Sequence, residues 1–251
     1  KCSITCDLKS SEGQSIIKDL AKHCDVVVEN FKYGTMDKYG LSIEELRELN
    51  PNLIYCSISA YANNSSLKNE VGYDAMIQAS AGLMSVTGER NGKPQKVGVA
   101  IADIMTGMYA ATAILASLYQ RSKTGTVQDI NVPLYDSQVA WLANQNMNFL
   151  MSNEVPLKNG NAHPNIAPYQ TFSTSDGDIM VAVGSDDQFL KFMRCIGCAD
   201  QKIIDNFKYN EQRVEKIEEL DFIISKLIIR KTTSYWLDQL KDSQIPCGPI
   251  N

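Results

Sequence analysis

Between residues 10 and 60 the apolar positions alternate between a helical and an extended period. Ser10-Ser11-Glu12 is a capping sequence, and Ile16, Ile17, Leu20 and Ala21 follow at helical spacing. This predicts a helix to about His23 with those four side chains inward. Asp25 to Val28 is a short β-branched run of the kind that a parallel strand buries on both faces. Ser42 caps the helix IEELREL, which Asn50-Pro51 stops, and Leu53 to Ser59 is the next strand. Lys1 to Leu8 alternates with Ile4, Cys6 and Leu8 on one side, so it too reads as a strand. It opens abruptly, without methionine, as expected of a piece of a longer chain.

Further on, Tyr73 to Val86 predicts a helix and Val97 to Ala102 a strand. A long small-residue helix then runs from about Ile104 to Gln120, closed by the C-cap glycine Gly125. Gln128 to Val132 is another strand and Leu134 to Met151 a long helix. Strands and helices alternating across short loops predict an α/β fold, a Rossmann-like open parallel sheet over residues 1–151. Residues 152–168 are rich in Asn, Gly and Pro and read as a linker or mobile active-site loop. Tyr169 to Ser185 holds two alternating strands around Ser175-Asp176-Gly177, a hairpin. Helices are expected at Asp187–Ile196, Glu211–Arg230 and Thr233–Lys241, making residues 169–251 a second, smaller α/β domain.

A net charge of −5 offers no electrostatic footing for nucleic acid or an anionic membrane, so an anion would need a local cluster of lysines and backbone N–H groups. The uninterrupted apolar runs fall well short of the ~18 residues of a transmembrane helix, so no span is expected. Seven scattered cysteines read as free thiols in a reducing compartment. Cys195-Ile-Gly-Cys198 is formally CxxC, but it ends a helix and has no second pair for zinc.

No GxGxxG, P-loop or GxSxG is present, and the two histidines, His23 and His163, are far apart in sequence. That argues against a triad or a multi-histidine metal site and leaves carboxylates, amides, hydroxyls and backbone N–H groups to do any chemistry. Asp103, at the expected strand-to-helix junction, reads from pattern alone as an N-cap. The same place suits an ionised carboxylate held against a ligand.

The blocks VENFKYG, LIYCSISAY, GYDAMIQASAG, VAIADIMTGMY, TGTVQDINVPLYDS and IPCGPIN occur in this order. Together they resemble the family III CoA-transferases, over essentially the whole chain. The resemblance implies CoA transfer between carboxylic acids, with dicarboxylates such as succinate and glutarate as substrates, coenzyme A as the group carried and no metal. It places the family's nucleophilic aspartate on Asp103, which would form an acyl anhydride and then an aspartyl-CoA thioester. CoA contacts carried over by position are Lys9, Asn30, Phe31, Lys38, Tyr73 and Asp74. The family's active-site lid falls on Asn159 to His163, which is poorer in glycine than the family's loop, with His163 and Asn165 as candidate acceptor contacts. An interlocked homodimer and a mitochondrial setting are also implied.

The racemase branch of the same family is the main alternative. Its histidine base falls on Tyr73 of Gly72-Tyr73-Asp74, and a phenol with a pKa of about 10 does not replace an imidazole poised near neutrality. A catalytically inert CoA-binding homologue is the third reading, to be favoured if Asp103 is buried away from any cleft.

Overall fold

The computed structural model describes residues 2–251; the expectation for Lys1 lies outside them. The chain divides into two compact units, one of Lys1–Thr87 and Pro94–Leu157, the other of Gly88–Lys93 and Lys158–Asn251. Along the first run α1 (Ser11–Ala21), β1 (Val26–Glu29), α2 (Thr35–Lys38), α3 (Ile43–Leu49), β2 (Ile54–Ser59), α4 (Asp74–Ser80), α5 (Leu83–Val86), α6 (Ile101–Thr124), β3 (Ile130–Pro133), α7 (Leu134–Ala140) and α8 (Asn144–Ser152). The second holds β4 (Tyr169–Ser173), β5 (Asp178–Ala182), α9 (Asp186–Cys195), α10 (Gln201–Asn206), α11 (Asn210–Glu215), α12 (Ile217–Ile228), α13 (Thr233–Asp242) and β6 (Cys247–Pro249).

The first unit has the expected parallel sheet, ordered β1-β2-β3, with Val26 opposite Ile54 and Cys56 opposite Ile130. Local signals set its helix ends. Ser10 Oγ accepts from the Gly13 N–H to start α1, Ser42 and Glu45 form a reciprocal capping box on α3, and Gly125 closes α6 at φ +71°. One face of the sheet is covered by α6, whose Ala110, Ala113, Ile114 and Leu118 pack on Ile54, Cys56 and Ile130. Burial there pushes the Cys56 thiol up to about 11, with Glu29 adding to the rise, which makes this thiol inert at neutral pH.

Several expectations are corrected. Residues 2–8 form no strand and Ile4 is exposed, because alternation alone makes no strand without a ladder partner. Ile16 and Leu20 are exposed too, so α1 turns inward through Ile17 and Ala21 instead. Residues 97–100 also lack a partner strand; the Val97 N–H is taken by the Gln78 Oε1 at 2.9 Å, and α6 starts at Ile101, earlier than predicted. The helix expected over Tyr73–Val86 breaks at Gly82, which has φ +93°. That over Leu134–Met151 breaks where Ala143 takes φ +46°.

By length and composition α6 is long and apolar enough to cross a membrane, with a mean hydropathy of 1.5, contrary to the reading of uninterrupted runs. Thr, Gly, Ser and Tyr interrupt its apolar run without lowering that mean much. In this fold one side of it lies on the sheet, while Met108, Leu115 and Tyr119 on the other are exposed.

In the second unit β4-β5-β6 is antiparallel, its hairpin turning at Ser175-Asp176-Gly177 as expected. Phe189, Phe192, Phe207, Leu220, Ile224 and Leu240 fill the core beneath it. The predicted helix over Glu211–Arg230 is two helices, and the structure adds α10 and β6 to the expected elements. Cys195 and Cys198 are free thiols.

Candidate active site

A cleft of about 490 Å³ opens in the first unit where the ends of β1 and β2 meet the first turns of α6. Its volume is in the range of small-molecule sites. Asn30 and Phe31 follow β1 directly, Ile58 and Ser59 end β2, and Asp103, Thr106 and Gly107 present one face of α6. Tyr73 closes the rim. A Cβ built on Gly107 would meet nothing within 4 Å, so a ligand can approach the α6 backbone there. At Gly72 the reverse holds: a Cβ would lie 2.7 Å from Ile77 Cδ1 and 3.0 Å from Ala60 Cβ. Only glycine lets the chain before Tyr73-Asp74 pass between Ala60, just beyond β2, and Ile77 of α4.

Asp103 is in the first turn of α6 but does not cap it, which corrects the N-cap reading. Asp74, 29 positions earlier, takes that role. Its Oδ1 accepts from the Ala102 N–H at 2.8 Å and the Asp103 N–H at 3.4 Å. Its Oδ2 accepts from Gln78 Nε2 at 2.6 Å, and Gln78 is fully buried and also holds Val97. A rigid chain of contacts therefore fixes the start of α6, and the Asp103 carboxylate makes no hydrogen bond among the described residues. Partial burial, then the negative charge of Asp74, raise the Asp103 pKa above the usual carboxylate range.

If the reaction needs ionised Asp103, activity falls as pH drops through that raised pKa. The substitution Asp74→Asn removes the neighbouring charge, so the acidic limb of the kcat/KM profile is expected to move to lower pH. An unmoved limb would mean that another group sets it.

Of the residues carried over by resemblance, the structure brings Asn30, Phe31, Tyr73 and Asp103 to one cleft, with Asp74 immediately behind. Asn30 Nδ2 donates to the Ile58 carbonyl at 2.8 Å, which ties the two strand ends together. Phe31 and Tyr73 are 46% and 73% exposed, large enough apolar faces to receive a base or a thioester chain. Lys9 and Lys38 are exposed and do not line the cleft. In the second unit His163 stacks on Tyr169, its Nδ1 accepting from the Asn165 N–H at 3.1 Å, so both are held within their own loop.

Lys32, Tyr33 and Lys68 also line the cleft and were not singled out from sequence. Lys32 directly follows Asn30-Phe31 in the sequence, whereas Lys68 lies in a polar loop with no periodic signal. A neighbouring hollow of about 390 Å³ is lined by Glu29, Asp37, Glu44 and Asp129. Its carboxylates repel phosphates and acids, which leaves the Asp103 cleft as the better host for an anionic substrate.

A parallel sheet whose strand ends and covering helix present an unpaired carboxylate to an aromatic-rimmed cleft suits acyl transfer through that carboxylate. The chain belongs to CoA-transferase family III, whose description it matches over residues 1–251. It is 43% identical over 251 residues to a succinate–glutarate CoA-transferase of Agrobacterium fabrum, covering 100% of this chain and 63% of the relative. It is 41% identical over 253 residues to the human succinyl-CoA:glutarate CoA-transferase, covering 100% of this chain and 57% of the relative. Among solved structures, a CAIB/BAIF family protein from Brucella suis superposes with a TM-score of 0.87 at 43% identity, covering 99% of this chain and 66% of that one. The chain thus spans about 57–63% of the length of these two curated relatives.

Proposed function

We propose that the protein transfers CoA between carboxylic acids, from succinyl-CoA to a dicarboxylate such as glutarate, with Asp103 as the nucleophile. The observation that carries this reading is the Asp103 carboxylate itself: free of hydrogen bonds among the described residues, solvent-accessible, and lining a cleft at the N-terminal turn of a helix. An accessible, unpaired carboxylate can reach a thioester carbonyl, and its alignment there supplies much of the rate.

In the first step an Asp103 oxygen attacks the thioester carbonyl and the C–S bond breaks. This gives a mixed anhydride and CoA thiolate. The thiolate then adds to the Asp103 carbonyl and expels succinate, leaving an aspartyl-CoA thioester. The acceptor carboxylate opens that thioester to a second anhydride, and the returning thiolate takes the new acyl group. Asp103 is regenerated, with one oxygen derived from the acceptor. An anhydride lies uphill of a thioester, so binding of the remote part of CoA has to offset the climb. Phe31 and Tyr73 offer faces for its base and pantetheine arm.

The names of the two curated relatives support succinate and glutarate as the acid pair. We also propose that the exposed face of α6, with Met108, Leu115 and Tyr119, is covered by a second copy, in the interlocked manner implied by the family.

The reading is tested by following glutarate and succinyl-CoA together with the acyl α-hydrogens in deuterated water. Glutaryl-CoA and free succinate are expected in equal amounts, with no α-deuterium. Deuterium uptake without transfer would instead support the racemase alternative, and neither reaction would support an inert CoA-binding homologue.

A further inference from the structure

Dicarboxylic substrates carry a second carboxylate that takes no part in the chemistry and, inside a cleft, needs a cation. We propose that Lys68 is that cation: it binds the distal carboxylate of the acid and sets the preference for dicarboxylates. This rests on the transferase reading of the Asp103 cleft.

Two lysines line that cleft, Lys32 and Lys68. Lys32 is exposed and also lines the neighbouring acidic hollow of Glu29 and Asp37, so it is not dedicated to this cleft. Lys68 differs in two ways. It is half-buried, and its Nζ rests 4.5 Å from the centroid of the Tyr33 ring; like Lys32, it forms no ion pair among the described residues. An aromatic face orients an ammonium group without neutralising it, so a carboxylate entering the cleft finds a placed, unsatisfied charge.

The backbone beneath it is also fixed. The Lys68 N–H donates to the Ser65 carbonyl at 3.2 Å, the Glu70 N–H to the Leu67 carbonyl at 2.8 Å, and the Asn63 N–H to Asn131 Oδ1 at 3.1 Å. The Asn63 contact ties the loop to β3. A monocarboxylate would leave the half-buried charge of Lys68 without a partner, which is how one lysine can discriminate between acids.

The test compares glutarate with its monomethyl ester as acceptors at saturating succinyl-CoA, in the unaltered protein and in Lys68→Gln and Lys68→Arg. Loss of one charge-assisted contact is expected to raise the KM for glutarate by about 10- to 100-fold in Lys68→Gln. The KM for the ester should stay within about twofold, as expected when an unused contact is removed. Lys68→Arg should restore most of the preference. Equal losses on both acceptors, or none on either, would overturn the assignment while leaving the transferase reading intact. Failure of the unaltered protein to transfer CoA, or to form any Asp103 adduct, would overturn both.

Discussion

The substitution Asp103→Asn is expected to lower CoA transfer by at least about 10⁴-fold, the scale of losing a covalent nucleophile. Stability should change by no more than about 0.5 kcal/mol, as for a surface substitution. The two outcomes separate because the structure divides the tasks at the start of α6. Asp74 accepts from the Ala102 and Asp103 N–H groups and so supports the helix end, whereas the Asp103 carboxylate supports nothing around it. Asparagine keeps the shape and the backbone but cannot form the anhydride. Steady-state transfer assays and thermal denaturation of the same preparation check both halves. Retained activity would remove Asp103 from the chemistry. Lost activity accompanied by a large fall in stability would mean that the side chain is structural.

The largest effect on stability is expected from Arg213→Met. Arg213 is 1% exposed and its guanidinium lies 4.6 Å from the Phe189 ring centroid. Its Nε donates to the Ala167 carbonyl at 2.6 Å, and Nη1 donates to the Phe207 and Lys208 carbonyls at 3.1 and 2.8 Å. Its Nη2 pairs with Asp186 at 2.7 Å. Methionine fills much of the space yet strands three carbonyls, while Asp186, 43% exposed, turns to water. Leaving buried acceptors without donors costs about 1–3 kcal/mol each, so a loss of about 3 kcal/mol is expected, a large share of a typical domain's stability. Trp236 is buried in the same core, so its fluorescence during urea unfolding in a Trp141→Phe background reports the loss. A shift below about 1 kcal/mol would mean that those carbonyls find water or other donors.

These two residues also mark what the sequence can and cannot disclose. Features resolved within a few positions were legible. The Ser42 capping box, the Gly125 C-cap and the Asp176-Gly177 turn all form as their local chemistry dictates; the β-branched run over β1 pairs as a strand too, but at the sheet edge, with Val28 53% exposed instead of buried. Features that need a distant partner were not. Residues 97–100 have strand composition but no ladder to join, and their first N–H is spent on Gln78. Asp103 looked like a cap because the true cap, Asp74, reaches it from 29 residues away. Arg213 sits in a run, EQRVEK, that has the pattern of a solvated helix face, and only tertiary packing buries it. Lys68 belongs to a polar loop whose turns bring it over Tyr33, a contact that no periodicity encodes. The cleft itself was legible only through the family blocks, which named Asn30, Phe31, Tyr73 and Asp103 together; the structure adds Lys32 and Lys68 to its lining.

The most direct measurement of nucleophilic catalysis by Asp103 is mass spectrometry of peptides from the protein incubated with succinyl-CoA and quenched with hydroxylamine. The peptide carrying Asp103 is expected to gain a hydroxamate, because both the anhydride and the aspartyl-CoA thioester are open to attack at the Asp103 carbonyl. The modification should vanish in Asp103→Asn and when succinyl-CoA is omitted. Active protein with an unmodified Asp103 peptide, or with the hydroxamate on another carboxylate, would contradict it.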